Sequence, residues 1–207
     1  MRTNEAVHFM KRLILAMMVL TSTCSAFAQG TFVYDQQSAT NGFGQAGADI
    51  QTSQPVGQSF TPASAFIGFA TLQFSDTVVN NGIGSTVFVN LREDSITGNV
   101  LTASSPVFMR DSYVGTTDFI FPSNVPITPG STYFLVPVLQ SGDDTSIHAD
   151  FYNYPGGTAY TFGQPNPGGL DFWFREGYIV PEPSVACLSL AGVAVAVWFR
   201  RRKSPVQ

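Results

Sequence analysis

His148 is the one imidazole available to the central segment of this 207-residue chain, and it stands between Ile147 and Ala149 with Asp150 two residues on. Residues two apart share a face of an extended strand, so Asp150 is placed to orient a histidine base. A hydrolytic triad also needs an activated nucleophile. No G-x-S-x-G turn, phosphate-binding glycine loop, H-E-x-x-H helix or dinucleotide-binding glycine motif directly after a strand accompanies this pair. Glycoside hydrolysis would need two facing carboxylates at a set separation. Glu93 and Asp94 are consecutive and point to opposite faces, as do Asp171 and Glu176, five apart, in a continuous strand. Asp49, Asp76, Asp111 and Asp118 stand alone in the sequence. The expectation is a protein that is not an enzyme.

Two other groups could hold a ligand. Asp143 and Asp144, with Ser141 and Thr145 beside them, form an acidic turn of the kind that takes calcium through carboxylates and carbonyls, although no EF-hand spacing is present. The same letters describe a solvated turn. Tyr152, Tyr154, Tyr160, Phe162 and Trp173 surround a loop rich in Gly and Pro. Flat rings beside amides and carboxylates can stack on sugars while the polar groups bind hydroxyls, which makes Trp173, Tyr152, Tyr154 and Tyr160 a candidate glycan-binding set. The alternative is that Phe172 and Phe174 are core and Trp173 caps a neighbouring loop.

The elements that must position these residues read as strands. Period two dominates: Val87, Val89 and Leu91 share one face of residues 85–92, and Ala70, Leu72 and Phe74 one face of 66–74. The almost unbroken apolar run 132–140 fits a strand covered on both faces, with an edge or bulge at Pro137. Further strands are expected over 31–34, 56–60, 100–103, 107–110, 118–121, 147–152 and 171–175. Turn clusters such as Asn80-Asn81-Gly82 and Pro129-Gly130-Ser131 separate them. About ten short strands so spaced predict an all-β fold, an antiparallel β-sandwich of jelly-roll type. Residues 35–55 and 154–169 are expected to be long loops.

Composition bounds the function. Charged residues make up 12% and hydrophobic residues 44% of the chain, a globular balance with about half the usual charge. Over residues 29–180 the basic side chains are Arg92, Arg110 and Arg175 alone, against twelve acidic ones. Nucleic acid is excluded as a partner, because its binding needs a basic footprint.

The two ends read as addresses. Lys11 and Arg12, the apolar stretch Leu13 to Leu20, and Ala26-Phe27-Ala28 have the order of a secretory signal peptide over residues 1–28, cleaved before Gln29, with Met10 an alternative start. Thr21-Ser22-Thr23 before Cys24 lacks the aliphatic residue of a lipoprotein signal. At the other end, Pro181-Glu182-Pro183-Ser184 precedes the uncharged run Val185 to Phe199 and the cluster Arg200-Arg201-Arg202-Lys203. Fifteen helical residues rise roughly 22 Å against roughly 30 Å of hydrocarbon, a marginal single transmembrane helix. The basic tail places the C-terminus inside and the central segment outside. The prolines keep the segment before the helix extended and open to a protease. Cys24 and Cys187 lie in these ends, so residues 29–179 contain no thiol and support no cysteine catalysis or cysteine-ligated metal.

The C-terminal pattern resembles the PEP-CTERM sorting signal of bacterial surface proteins, over residues 180–207. That resemblance implies handling by a membrane-embedded exosortase-type processing enzyme and passage from the inner membrane to the cell envelope or extracellular matrix, typically in bacteria that form biofilm. Gly57-Gln58-Ser59-Phe60-Thr61, Val87 to Arg92, Val125 to Tyr133 and Asp171 to Arg175 are also similar to β-sandwich modules of bacterial surface proteins. This second resemblance implies a fold and an extracellular setting and supplies no catalytic residue. The function expected is that of an exported, non-catalytic surface or matrix protein that binds or organises exopolysaccharide. The alternatives are a polysaccharide hydrolase with dispersed carboxylates and a purely structural envelope protein.

Overall fold

The computed structural model describes residues 30–166 and 168–181, and within them Phe32–Val180 forms one compact unit. The signal segment with Ala26, Ala28 and Gln29, the motif residues Glu182 and Pro183, the apolar run and the tail Arg200 to Lys203 lie outside the described residues. Among the described residues no helix is long and apolar enough to cross a membrane.

Among the described residues all regular structure is strand, in two antiparallel seven-stranded sheets. With strands numbered in chain order, the first sheet holds β1 (Thr31–Gln37), β2 (Ala46–Asp49), β4 (Phe66–Asp76), β8 (Val114–Pro126), β10 (Thr145–Asp150), β13 (Asp171–Phe172) and β14 (Phe174–Val180). The second holds β3 (Gly57–Phe60), β5 (Ser85–Glu93), β6 (Val100–Ala103), β7 (Val107–Met109), β9 (Tyr133–Gly142), β11 (Ala159–Thr161) and β12 (Gln164–Pro165). In the first sheet β4 runs between β8 on one edge and β14 and β10 on the other, and β2 closes β10. In the second, β9 joins β3 to β5. Ile67, Leu72, Phe74, Phe119, Ile147 and Phe174 from the first sheet and Phe60, Val87, Val89, Leu91 and Leu135 from the second share one buried cluster. The arrangement is sandwich-like, with the core between the sheets.

The apolar run at β9 is covered twice. Tyr133 and Leu135 enter the common core, while Phe134 and Val136 form a second cluster with Ile96, against which Tyr160 packs. Pro137 sits opposite Val89 of β5, past the last pairing of β3 with β9 at Leu135. Its carbonyl accepts from Gln54 Nε2 at 3.0 Å. N–H and C=O of one strand residue point the same way, so the donor that proline lacks would face this open stretch rather than β5.

Several boundaries differ from expectation. The stretch 35–55 contains the end of β1 and all of β2, and 154–169 contains the β11–β12 hairpin. Small and polar residues dominate both, with no sustained apolar alternation. β8 reaches from 114 to 126 although only 118–121 reads as a strand. Its register with β4 shifts beside Gly68, and there the Asn124 amide pairs with the backbone of Ile179, donating at 2.8 Å and accepting at 3.0 Å. The last strand is not continuous: it breaks at Trp173, whose N–H donates to the His148 carbonyl at 2.9 Å.

Candidate functional site

His148 lies on β10 with its ring half-buried. Nδ1 is 3.0 Å from the Gly44 carbonyl, which can only accept, so Nδ1 carries the proton. Nε2 then accepts from Ser75 Oγ at 2.7 Å. The Phe43 ring lies 4.2 Å away, centroid to centroid. Beside it Gln73 accepts from the Gly44 amide at 2.8 Å and donates to the Gly42 carbonyl at 3.2 Å. Together these bonds fasten residues 42–44 over the outer face of β4 and β10. Asp150 does not orient the imidazole: its Oδ1 accepts from the Phe151 amide at 2.8 Å, and Gly44 takes the place sequence spacing gave to Asp150. Burial holds His148 below its usual value of 6.5, against the opposing effect of the Gly44 carbonyl.

The acidic turn is used to tie loops. Asp144 Oδ1 accepts from the amides of Gln51 and Thr145, each at 2.9 Å, and Thr77 Oγ1 donates to the Asp144 carbonyl at 2.8 Å. Asp143 Oδ2 accepts from Asn81 Nδ2. Asp76 and Asp111, distant in sequence, meet at Ser112: its amide donates to Asp76 at 2.7 Å and its hydroxyl to Asp111 at 3.1 Å. The Gly82 amide above all, with the Asn80 amide and Ser112, holds Asp111 below the usual carboxylate range despite an opposing desolvation. Among the described residues no group of three or more His, Cys, Asp or Glu is arranged to hold a metal ion.

The aromatic set divides between interior and surface. Trp173 is 4% exposed and stacks under the Arg175 guanidinium at 4.9 Å, and Tyr154 is 9% exposed, edge-on to Phe174 at 5.1 Å. Tyr160 packs edge-on to Phe134 at 5.5 Å. The Tyr152 hydroxyl is buried without a partner, and desolvation raises its pKa, with Asp150 adding to the effect. Phe172 and Phe174 lie in the shared core, as the alternative reading has them, and Tyr154 and Trp173 are buried as well. Asp171 and Glu176 are both buried, at 1% and 0% exposure, because the break at Trp173 resets the alternation that a continuous strand would impose. Asp171 accepts from Gln58 Nε2 at 3.0 Å and from the Tyr154 amide at 2.8 Å, and Gln58 Oε1 accepts from the Phe172 amide at 2.7 Å, which ties β3 to β13. Burial pushes Asp171 up, and burial followed by the nearby Asp35 carboxylate pushes Glu176 up to about 9.

Within residues 151–174 the rings that face solvent are Phe151 and Phe162, 67% and 66% exposed. Phe162 occupies the β11–β12 turn at φ 53°, and its amide donates to the Ser53 carbonyl at 2.8 Å, which fixes the ring's base. It borders a cleft of about 380 Å³ between β2 and the β11–β12 hairpin, lined also by Asp49, Ser53, Thr161, Asn166 and Phe172. Asn166 Oδ1 accepts from Thr161 Oγ1 at 3.3 Å, while its Nδ2 is buried with no partner. A free amide donor, a carboxylate and hydroxyls beside an apolar ring suit a polyhydroxylated ligand, and the volume lies in the range of about 300–1,000 Å³ common for ligand sites. In the sequence Phe162 stands only among the loop aromatics, Asp49 stands alone, and Asn166 lies in a stretch that reads as a loop, so nothing there joins the three.

No protein-family model matches this chain, and no curated protein matches it.

Proposed function

We propose that the chain is an exported, non-catalytic envelope or matrix protein that binds exopolysaccharide in the cleft between β2 and the β11–β12 hairpin. The observation that carries this reading is the unpartnered, buried Asn166 Nδ2 in a cleft rimmed by the exposed Phe162 ring. A hydroxyl or ring oxygen of a sugar would complete the amide, and the ring offers an apolar platform. The signal peptide, the Pro181-Glu182-Pro183 motif, the apolar helix and the basic tail make an exosortase-type enzyme and, before processing, the inner membrane its transient partners. The two sheets are, in this reading, a jelly-roll sandwich. The test is binding of the mature protein to exopolysaccharide from its own bacterium. Asn166→Ala and Phe162→Ala should each weaken binding about tenfold, about 1.4 kcal/mol, with thermal stability unchanged. Full binding by both variants would contradict the assignment.

One contact favours a hydrolase instead: Ser75 Oγ donating to His148 Nε2 at 2.7 Å, with Nδ1 held by Gly44. The same bonds are accounted for by docking of residues 42–44, and the docking account predicts no labelling of Ser75 by a fluorophosphonate. A Ser75 adduct in the intact mass would favour the hydrolase.

A further inference from the structure

Among the described residues, the wall of the cleft between β2 and the β11–β12 hairpin carries one ionisable side chain, Asp49, and no basic one. Asp49 closes β2, an edge strand that pairs with β10 alone, and is half-buried. Its carboxylate takes part in no hydrogen bond or ion pair among the described residues. The main chain fixes where it stands. The Asp49 carbonyl accepts from the Ser53 amide at 3.0 Å, and the Ser53 carbonyl accepts from the Phe162 amide at 2.8 Å. Across the cleft, the backbone amide of Asn166 donates to the Ala159 carbonyl at 2.8 Å, and its side-chain oxygen accepts from Thr161 at 3.3 Å. A carboxylate, an apolar ring and an amide donor without a partner therefore stand on one hydrogen-bonded frame, ordered before any ligand arrives.

None of the three arginines of residues 29–180 offsets that carboxylate. The Arg175 guanidinium lies over the Trp173 and Tyr34 rings and donates to the Thr40 carbonyl. Arg92 donates to the Gly98 carbonyl at 2.6 Å, and Arg110 stands in the connection from β7 to β8. Twelve acidic residues over the same span add a field of the same sign as Asp49. A uronate or a phosphorylated sugar would bring a second negative charge to a recess that holds nothing to pair it, and an unpaired charge taken from water is costly. A neutral sugar would reach the carboxylate through a hydroxyl. A protonated amine makes the same bond and neutralises the charge as well, where the effective dielectric is below that of water.

We infer that the cleft selects a sugar with a free, protonated amino group, a unit of a cationic exopolysaccharide of unacetylated amino sugars. Asp49 is its counter-ion, Asn166 Nδ2 the donor to a neighbouring hydroxyl or ring oxygen, and Phe162 the platform under the apolar face of the ring. This inference rests on the glycan reading of the cleft and narrows it from polyhydroxylated ligands in general to cationic ones.

Three probes of equal length test it by calorimetry on the full chain in mild detergent: deacetylated glucosamine oligomers, their N-acetylated counterparts, and oligouronates. The buffer is held at about pH 6, below the range of an ordinary amine. The deacetylated oligomer should bind about tenfold more tightly than the acetylated one, and the oligouronate should bind least. Salt at about 0.5 M should shrink that preference. Asp49→Asn keeps the side-chain shape and the backbone bond to Ser53; it should bring the two glucosamine oligomers within about twofold of each other, with the thermal midpoint unchanged. Asn166→Ala should weaken both alike, and Asp144→Asn, on a distant acidic turn, should keep the preference. Equal affinity of the parent for both glucosamine oligomers, or no binding of either, would overturn the inference. So would a preference that survives in Asp49→Asn or that is lost equally in Asp144→Asn. Exopolysaccharide from the protein's own bacterium separates the two levels. Binding there through Asn166 and Phe162 with no preference for the amine leaves the glycan reading standing and ends this inference alone, whereas no binding to exopolysaccharide or to any oligomer ends both.

Discussion

At the scale of single residues, the polar groups on the outer face of the first sheet work as fasteners. His148 is neutral, donates from Nδ1 to Gly44 and accepts at Nε2 from Ser75. Its folded-state pKa lies below 6.5, chiefly through burial. The unfolded chain therefore binds the proton more readily, so this contribution to stability is complete above about pH 6.5 and is lost as the pH falls through the lower folded value. Between about pH 7.5 and 5 the parent should lose denaturant midpoint relative to His148→Asn, which keeps hydrogen-bonding capacity without a titrating ring; the buried Glu176, raised to about 9, acts in the opposite direction in both proteins and cancels in the comparison. Equal slopes for the two would show that His148 does not carry this pH dependence. Sequence reading finds His148 because it is the one imidazole available, and describes it as a half-exposed strand histidine with Asp150 as the one local residue able to orient it. Asp150 shares its strand face, whereas Ser75 and Gly44 are more than seventy and one hundred residues away, and only the folded sheet brings them to the ring.

Among elements, legibility followed apolar alternation. β5 reads correctly from Val87, Val89 and Leu91, all fully buried, because side chains two apart must enter the same core; β6 has the bounds expected although Val100 and Leu101 are exposed. β2, with the sequence Ala-Gly-Ala-Asp, and the β11–β12 hairpin have no such pattern. Their pairing comes from the backbone ladder with β10 and with β3, and bonds of the main chain leave little mark on side-chain choice. The candidate cleft is built from these unpatterned pieces, so its position was hidden even though Phe162 was noticed. β14 shows a different constraint. Gly177 lies against the Val33 carbonyl of β1 with no room for a Cβ. Gly177→Ala should therefore push the two strands apart and lower stability by about 1–3 kcal/mol, the usual cost of forcing a packed site apart. Urea denaturation measures this directly, and a parent-like midpoint would show that β1 yields freely.

For the whole molecule, a single core between two sheets makes stability depend on the inward set and hardly at all on exposed rings. Phe174 is fully buried against Phe60 and Tyr154, with ring centroids at 6.3 and 5.1 Å. Phe174→Ala should cost about 3–5 kcal/mol. Phe108, 67% exposed, should tolerate alanine within about 0.5 kcal/mol. Parity between the two variants in urea denaturation would contradict a core shared by both sheets. The charge pattern acts at this scale too: three arginines against twelve acidic residues over 29–180 make the unit net anionic, which opposes its approach to polyanions. The central claim is that this thiol-free unit works outside the inner membrane after both ends have served as addresses. Intact mass and cellular location of the protein, in its own bacterium with and without the processing enzyme, test that claim most directly. The account predicts an envelope or matrix species that begins at Gln29 and lacks the basic tail Arg200 to Lys203, and a membrane-bound species with the tail retained when the enzyme is absent. A full-length chain dissolved in the cytosol with both termini intact would contradict it.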